Sequence, residues 1–413
     1  MLSLFFLLNV CNAYIFHGTF HHVDNNQFPF ASNSYITLPL CIGDNDFHQC
    51  FDLLFDIEAR YILLINSKLD SLHGYDINKS KGYSREPNTG YITTIPPMVS
   101  VASHIAYDDL WLGGKVNKIP FLEAHSINGN GKGEKTEGCP YQGFIGFSLR
   151  NEMGKDFLIM NYLKKQELSL SSSFYQKFIS KDKVDILVGE PSVDYNMIGL
   201  TEMEFCFLEE QTRYATDWKC AFEYIGNNKG ENIIKKLNET NNKVSFHSTW
   251  TGIVVPSTIV DDIFTFYITN SNGNCHYVID TEPGFRHLGD YIQCDTDYDL
   301  DLLPDLELGY YIKKLVIQLK ARDMFDSSKK SKFRKEDDRD TWHLDMDIIK
   351  HYNIYYNDEN NRMGFKENHI FDKNEETYQS RKFNNKELYI IIIFITLSGA
   401  CMLLFSQKKQ IVM

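Results

Sequence analysis

The 413-residue chain lacks a basic patch: 42 lysines and arginines stand against 55 aspartates and glutamates, for a formal net charge of −13. That balance excludes the electrostatic footprint by which proteins hold nucleic acid, and no nucleic-acid partner is expected. A ligand set for a metal is also missing. The stretch "HGTFHH" supplies His17, His21 and His22 but reads as a solvated segment. A pairing of His247 with Asp56 would give two ligands, too few for a bound ion. No cofactor is expected. A serine nucleophile at Ser248 is unsupported, because its neighbour His247 would point to the opposite face of an extended chain.

Charge is absent from two stretches near the ends. The apolar run Leu2 to Val10, followed by the small residue Ala13, reads as a signal peptide over 1–13, although no basic residue precedes it. A buried first strand is the competing reading. Leu388 to Phe405 gives 18 residues without a charge, the minimum for a bilayer-spanning helix. Basic residues flank both its ends (Arg381, Lys382 and Lys386 before, Lys408 and Lys409 after), so loop charge alone does not orient it. The signal peptide does. The expectation is a single-pass type I protein of the secretory pathway or cell-surface membrane, with a lumenal or extracellular bulk. Residues 367–387 read as a stalk, 388–405 as the membrane helix and 406–413 as a cytosolic tail.

Seven cysteines lie between those segments. Cys41–Cys50, Cys206–Cys220 and Cys275–Cys294 each bracket a short loop between apolar runs, and an oxidising compartment favours disulfides. Spacing does not fix connectivity, and Cys139 is left over. The sequons at Asn78 and Asn238 agree with secretory routing and glycosylation.

Short runs such as "SYITLPLCIG", "CFDLLFDI", "YILLIN", "GFIGFSL", "VDILVGE", "EFCFL" and "YNIYYN" predict strands by length and by β-branched and aromatic content. "KDFLIMNYLKKQ" and "PSTIVDDIFTFYI" predict helices, the second with Pro256 and Ser257 at its start. "SSKKSKFRKEDDRD", 327–340, reads as a charged solvated loop. The class is mainly β with few helices.

The most specific stretch is "WHLDMDIIKHYNIYYNDENNRMGF", Trp342 to Phe365. It resembles the closing segment of the pepsin-like aspartic proteases, where Trp-x-Leu-Gly-Asp leads to Asn-Asn-Arg-x-Gly-Phe. Trp342, Leu344, Tyr352, Asn360, Asn361, Arg362, Gly364 and Phe365 match without a gap. Earlier pieces come in the family's order. "YITLPLCIGDNDFHQCFDLLFDIEARYILLIN" resembles the first catalytic strand and loop, "DLWLGGKVNKIPFLEAHS" the strands after the flap, "QGFIGFSL" an Asp-Gly-Ile-Leu-Gly-Leu element, and "LLPDLEL" a Leu-Pro-Asp strand. The resemblance covers roughly 34–366 and implies two β lobes, here 14–200 and 201–366, with a peptide-binding cleft between them.

Such enzymes use two aspartates, one per lobe, that share a proton because two close carboxylates cannot both ionise. Each opens an Asp-Thr-Gly-Ser/Thr turn. Here Asp56 stands at the first position, but Ile57, Glu58, Ala59 and Arg60 replace the rest of the turn. The second position has two candidates. Asp280 in "HYVIDTEPGF" looks plausible alone. "FHSTWTGIVVP", however, overlies the family's second turn with Pro256 in register, which places His247 where the aspartate belongs. His247 lies 191 residues after Asp56 and 95 before Trp342; for Asp280 the separations are 224 and 62. The family's spacings fit His247 on both sides and Asp280 on neither.

A histidine there cannot share a carboxyl proton. Near Asp56 it is expected to form a charged pair that holds Asp56 ionised. The flap tyrosine is missing too: its place falls near Pro96 and Pro97, with Tyr91 displaced from it. The short segment before Ser34 leaves no room for the usual inhibitory propeptide. The expected protein is a membrane-anchored pseudoprotease whose cleft holds a peptide or protein ligand. The alternative is an active aspartic-type endopeptidase using Asp56 with His247 or Asp280.

Overall fold

The computed structural model describes residues 14–22, 34–43, 48–69, 74–87, 89–95, 99–111, 115–127, 142–149, 159–167, 169, 171–189, 202–208, 218–227, 233–249, 252–279, 289–311, 314–333, 335 and 340–372. Its contacts divide the chain into a unit 1–368 and a unit 369–413, and every described strand and helix belongs to the first. The expected signal peptide and membrane helix, Asp280, Cys139, Pro96 and Pro97 lie outside the described residues. No helix among the described residues is long and apolar enough to cross a membrane.

The protein is mainly β. Among the described residues fourteen strands form the largest sheet, and it draws on both ends of that set. Ser34–Gly43 pairs on one side with Tyr14–His22 and on the other with His48–Asp56. Tyr14–His22 continues to Lys183–Val188 and then Phe174–Ser180, which pairs with the late strand Tyr352–Asn357 and through it with Arg362–Glu367. Three smaller sheets hold the rest. One of them joins Lys219–Ala221, Lys243–Phe246 and Trp342–Leu344.

Alternation explains the first strand. Phe16 and Phe20 are buried, while Ile15, His17 and Thr19 face outward. "HGTFHH" is therefore strand, with His17 and His22 exposed to solvent: His17 hydrogen-bonds Asp185, and His21 bonds the Thr37 hydroxyl. The period-2 pattern is present, but histidines on the outer face mask it. In His48–Asp56 the alternation ends. From Leu53 to Asp56 every residue is buried, because this strand end is covered on both faces. Leu54, Leu63, Ile65, Val101, Ile105, Leu122 and Phe144 form the core beneath it.

Cysteine pairs join Cys41 to Cys50, Cys206 to Cys220 and Cys275 to Cys294, the three pairs expected from spacing. Both expected helices are present, as Ile159–Lys165 and Ser257–Asn270. The second buries Ile259, Val260, Ile263, Phe264 and Tyr267 along one face. The 327–340 segment departs from its solvated-loop reading. Ser331 and Phe333 are fully buried, and Lys332 pairs with buried Asp347 at 2.5 Å. The lysine-rich composition hides one aromatic anchor and one buried ion pair.

Candidate functional site

Asp56 ends the strand His48–Asp56, which runs parallel to Gly143–Gly146 with Asp56 opposite Gly146. The Asp56 carbonyl accepts the Phe147 N–H at 2.7 Å. His247 directly follows Lys243–Phe246, which runs parallel to Trp342–Leu344 with Phe246 opposite Leu344. The His247 N–H donates to the Leu344 carbonyl at 2.9 Å. The same device thus occurs twice: a buried strand ends against a parallel partner, and the chain turns away. Parallel pairs require long crossovers, so each turn is positioned by residues far along the chain.

The partner strands of the two devices end differently. A Cβ on Gly146 would meet the Ala59 carbonyl oxygen at 2.2 Å, so the turn after Asp56 needs glycine there. One residue past Leu344 the equivalent place holds Asp345. Its carboxylate accepts the N–H groups of Gly252 and Asp347, each at 3.1 Å. Burial and the nearby Asp347 push its pKa up to about 6.

The two turns meet. The Ile57 N–H donates to Ser248 Oγ at 3.0 Å, between residues 191 apart in sequence. Beside this bond Glu58 Oε2 lies 2.6 Å from His247 Nδ1. On the far side of the ring, His247 Nε2 is in hydrogen-bond contact with His343 Nδ1, and the two rings stack with centroids 4.5 Å apart. His247 is 2% exposed, Asp56 8%, and His343 is partly exposed.

Asp56 Oδ1 accepts the N–H of Glu58 at 2.8 Å and of Ala59 at 3.1 Å. Burial, then the Glu58 carboxylate, push the Asp56 pKa up to about 7; the two backbone N–H groups and His247 pull the other way and lose. This differs from the expectation that His247 would hold Asp56 ionised. Desolvation acts on the whole carboxylate, and His247 has a second carboxylate, Glu58, at ion-pair distance.

Glu58 and His343 are the site residues that sequence reasoning misses. Aligned on the Asp-Thr-Gly turn, Glu58 registers only as a lost glycine. The signal that could have found it is charge complementarity: an acid entered one turn while a base entered the other. His343 carries no such signal, since only the parallel register brings it beside His247. The arrangement is not a metal centre: Nδ1 of His247 faces Glu58 and Nε2 faces His343, so the three side chains do not converge. Among the described residues no group of three or more His, Cys, Asp or Glu could hold an ion.

Tyr91–Ile95 pairs antiparallel with Val99–Trp111. Tyr91 lies opposite Ser103 and packs against the core.

Beneath the His247 turn lies a buried ionic cluster. Asp347 pairs with Lys332 and with Lys350 at 3.3 Å, and accepts the Ser34 hydroxyl at 2.5 Å. Asp323 takes Lys350 at 3.2 Å and His351 at 2.8 Å. Burial alone would raise Asp323, but the His351 hydrogen bond and Lys350 bring it down to about 2. Asp347 is likewise held well below the usual carboxylate range by Lys332 and Lys350 against the opposing effect of burial.

The class these observations define is a mainly β protein in which two parallel-clasped turns bring Asp56, Glu58, His247 and His343 together. No family model matches the chain, and no curated protein matches it in sequence.

Proposed function

We propose that the chain is a divergent homologue of the pepsin-like aspartic proteases: two β lobes with a cleft between them, held at a membrane by a C-terminal helix. In this reading the cross-lobe aspartate pair is lost and the cleft binds a peptide or protein segment. The observation that carries it is the Ile57–Ser248 bond. In the resembled family a hydroxyl residue follows each catalytic aspartate. Two such turns facing each other would exchange two hydroxyl-to-amide bonds. Ser248 retains a hydroxyl and accepts one; Ile57 has none to offer in return. Aligning His247 with the Asp56 position predicts a bond between the residues that follow them, and the Ile57–Ser248 bond supports that alignment.

Chemistry supports loss of the original mechanism. A carboxylate must take a proton from water while its partner carboxyl polarises the scissile carbonyl. His247, flanked by Glu58 and His343, cannot be that carboxyl. The test is incubation of the purified chain with a mixed peptide library from about pH 3 to about pH 7, with Asp56→Asn as the control. No Asp56-dependent cleavage is expected; cleavage that disappears in Asp56→Asn would overturn the binding-only reading.

One observation favours the second reading, an active endopeptidase using Asp56 with His247. With its pKa near 7, Asp56 is part-protonated at neutral pH and could act as the acid while His247 serves as the base. That reading predicts a near-neutral optimum rather than an acidic one, and loss of cleavage in both Asp56→Asn and His247→Ala. Asp280 is the alternative second group, tested by Asp280→Asn.

A further inference from the structure

We propose that the stacked rings of His104 and His125 form an acid-released latch, which holds the chain from Tyr83 to Ile95 against the Val99–Trp111 and Lys115–Ile127 pair as long as no more than one ring is charged.

The latch stands on a β-bulge. Ala102 lies opposite Ser126 and Ser103 opposite Ala124, so His125 is an extra residue with no direct partner across the ladder. Ile105, Leu122 and Ala124 face the core. His104 and Glu123, paired with each other, belong to the opposite face. The His104 and His125 rings stack with centroids 4.0 Å apart and 5° between their planes.

The chain from Tyr83 to Ile95 is fastened to this strand pair at successive points. The Tyr83 hydroxyl donates to the Glu123 carboxylate. Ser84 and Arg85 pair with Tyr107 and Ala106, and the Glu86 N–H donates to the Ile105 carbonyl at 3.0 Å. Next, His104 Nδ1 bonds the Thr89 carbonyl at 2.6 Å, and Tyr91–Ile95 then pairs with residues 99–103. His104 thus holds the joint between two short strands. Because a carbonyl only accepts, the His104 proton sits on Nδ1, and Nε2 is where a further proton would add.

The surroundings oppose a second charge. His125 Nδ1 is buried with no hydrogen-bond partner among the described residues. A neutral ring can leave a lone pair there; a charged ring leaves an N–H donor without an acceptor. Two charged rings at this separation also repel. The charged groups around the pair are Glu123 and Arg85. Glu123 already takes the Asn66 amide and the Tyr83 hydroxyl, and Arg85 has the same sign as the rings. Burial, then the His104 charge, lower the His125 pKa, and Arg85 adds to this; the Glu123 carbonyl and carboxylate oppose the shift and lose. A histidine lowered on folding contributes stability that is present above its ordinary 6.5 and is lost as pH falls through the lower folded value. In acid the second proton is bound by unstacking. His104 then loses the ring that aims its Nδ1 at Thr89, and the hairpin beyond Thr89 loosens. The latch stands without the cleft reading; only under that reading does the hairpin cover a ligand, whose hold would weaken as its surroundings acidify.

The test follows amide hydrogen exchange of the full chain, without ligand, at about pH 7.5 and about pH 5, corrected for the intrinsic pH dependence of exchange. Protection of residues 86–95 is expected to fall about tenfold or more in acid, while Phe174–Ser180 keeps its protection. His125→Phe keeps a flat ring on His104 and removes the second charge; His125→Gln removes both ring and charge. Both variants are expected to lose the pH dependence, and His125→Phe to keep the neutral-pH protection throughout. No fall in wild type, an equal fall in Phe174–Ser180, or a wild-type fall in either variant would overturn the latch. Ring titration gives a second readout. The His125 signal, one of 13 histidines, is expected to titrate below 6.5 and to move up in His104→Phe. A His125 titration indifferent to that change would show that the two rings are not coupled and overturn the proposal.

Discussion

Asp56 carries its charge at an expense that depends on pH. Its folded pKa, about 7, lies above the ordinary 3.8. A carboxyl raised on folding contributes stability that is fully present below 3.8 and is lost as pH rises through about 7. A shift of this size corresponds to on the order of 4 kcal/mol between the two limits. Asp56→Asn keeps an acceptor for the Glu58 and Ala59 N–H groups but cannot ionise. Its urea midpoint is therefore expected above wild type at pH 8 and close to it at pH 4. A variant less stable than wild type at both pH values would mean that Asp56 is not destabilising its own fold. Asp56 and His247 were legible from the chain alone because strand, turn and spacing repeat around both. Glu58 stayed hidden because its meaning lies in what faces it. A single sequence shows the residue but not the turn that meets it.

Elements were easier to read where one face is wet. Ser257–Asn270 shows its buried stripe at helical spacing, and Tyr352–Asn357 is short, aromatic and bounded by turns. The segment around Lys332 misleads because a buried ion pair looks, in composition, like a solvated charge run. At the strand Gly143–Gly146, Gly146→Ala would drive a methyl into the Ala59 carbonyl. A loss of about 2 kcal/mol or more in chemical denaturation is expected, with the Glu58–His247 contact displaced, because the atoms the methyl meets are backbone of Ala59 and Tyr61, which cannot rotate aside. In the ionic cluster, Asp347→Ala strands Lys332 without its carboxylate, while Lys350 keeps Asp323, and about 3 kcal/mol should be lost. The double change Lys332→Met with Asp347→Leu should recover most of it, since the shared carboxylate and its closest lysine are then removed together. The pH signs within the cluster oppose one another. Asp323, lowered to about 2, contributes stability above 3.8 that disappears as pH falls through 2. Asp345, raised to about 6, contributes below 3.8 and loses that contribution as pH rises through 6.

At the scale of the whole molecule, the largest sheet is completed by the chain's late hairpin. Tyr352–Asn357 covers the edge of Phe174–Ser180, and Arg362–Glu367 then carries Glu204–Phe207. A chain stopped after His351 would leave the largely buried Phe174–Ser180 with an unpaired edge and take away the strand that Glu204–Phe207 pairs with, and such edges recruit other chains. Expression of residues 14–351 is expected to give aggregated material and residues 14–372 soluble material, as judged by size-exclusion chromatography; a monodisperse 14–351 protein would show that the late hairpin is dispensable. This closure was only partly legible. The last segment carries the most specific motif in the sequence, yet nothing in its local pattern says which strand it will pair with.

That same late closure has a consequence in time. The Tyr14–His22 strand leaves the ribosome early, and its neighbours Phe174–Ser180 and Lys183–Val188 come after it. The sheet edge they create must wait for Tyr352–Asn357 to be synthesised. Throughout that interval a half-built sheet, with a free edge and aromatic side chains awaiting Tyr356, is available to any other extended segment. The time taken to synthesise residues 189–357 then sets how long that edge stays open.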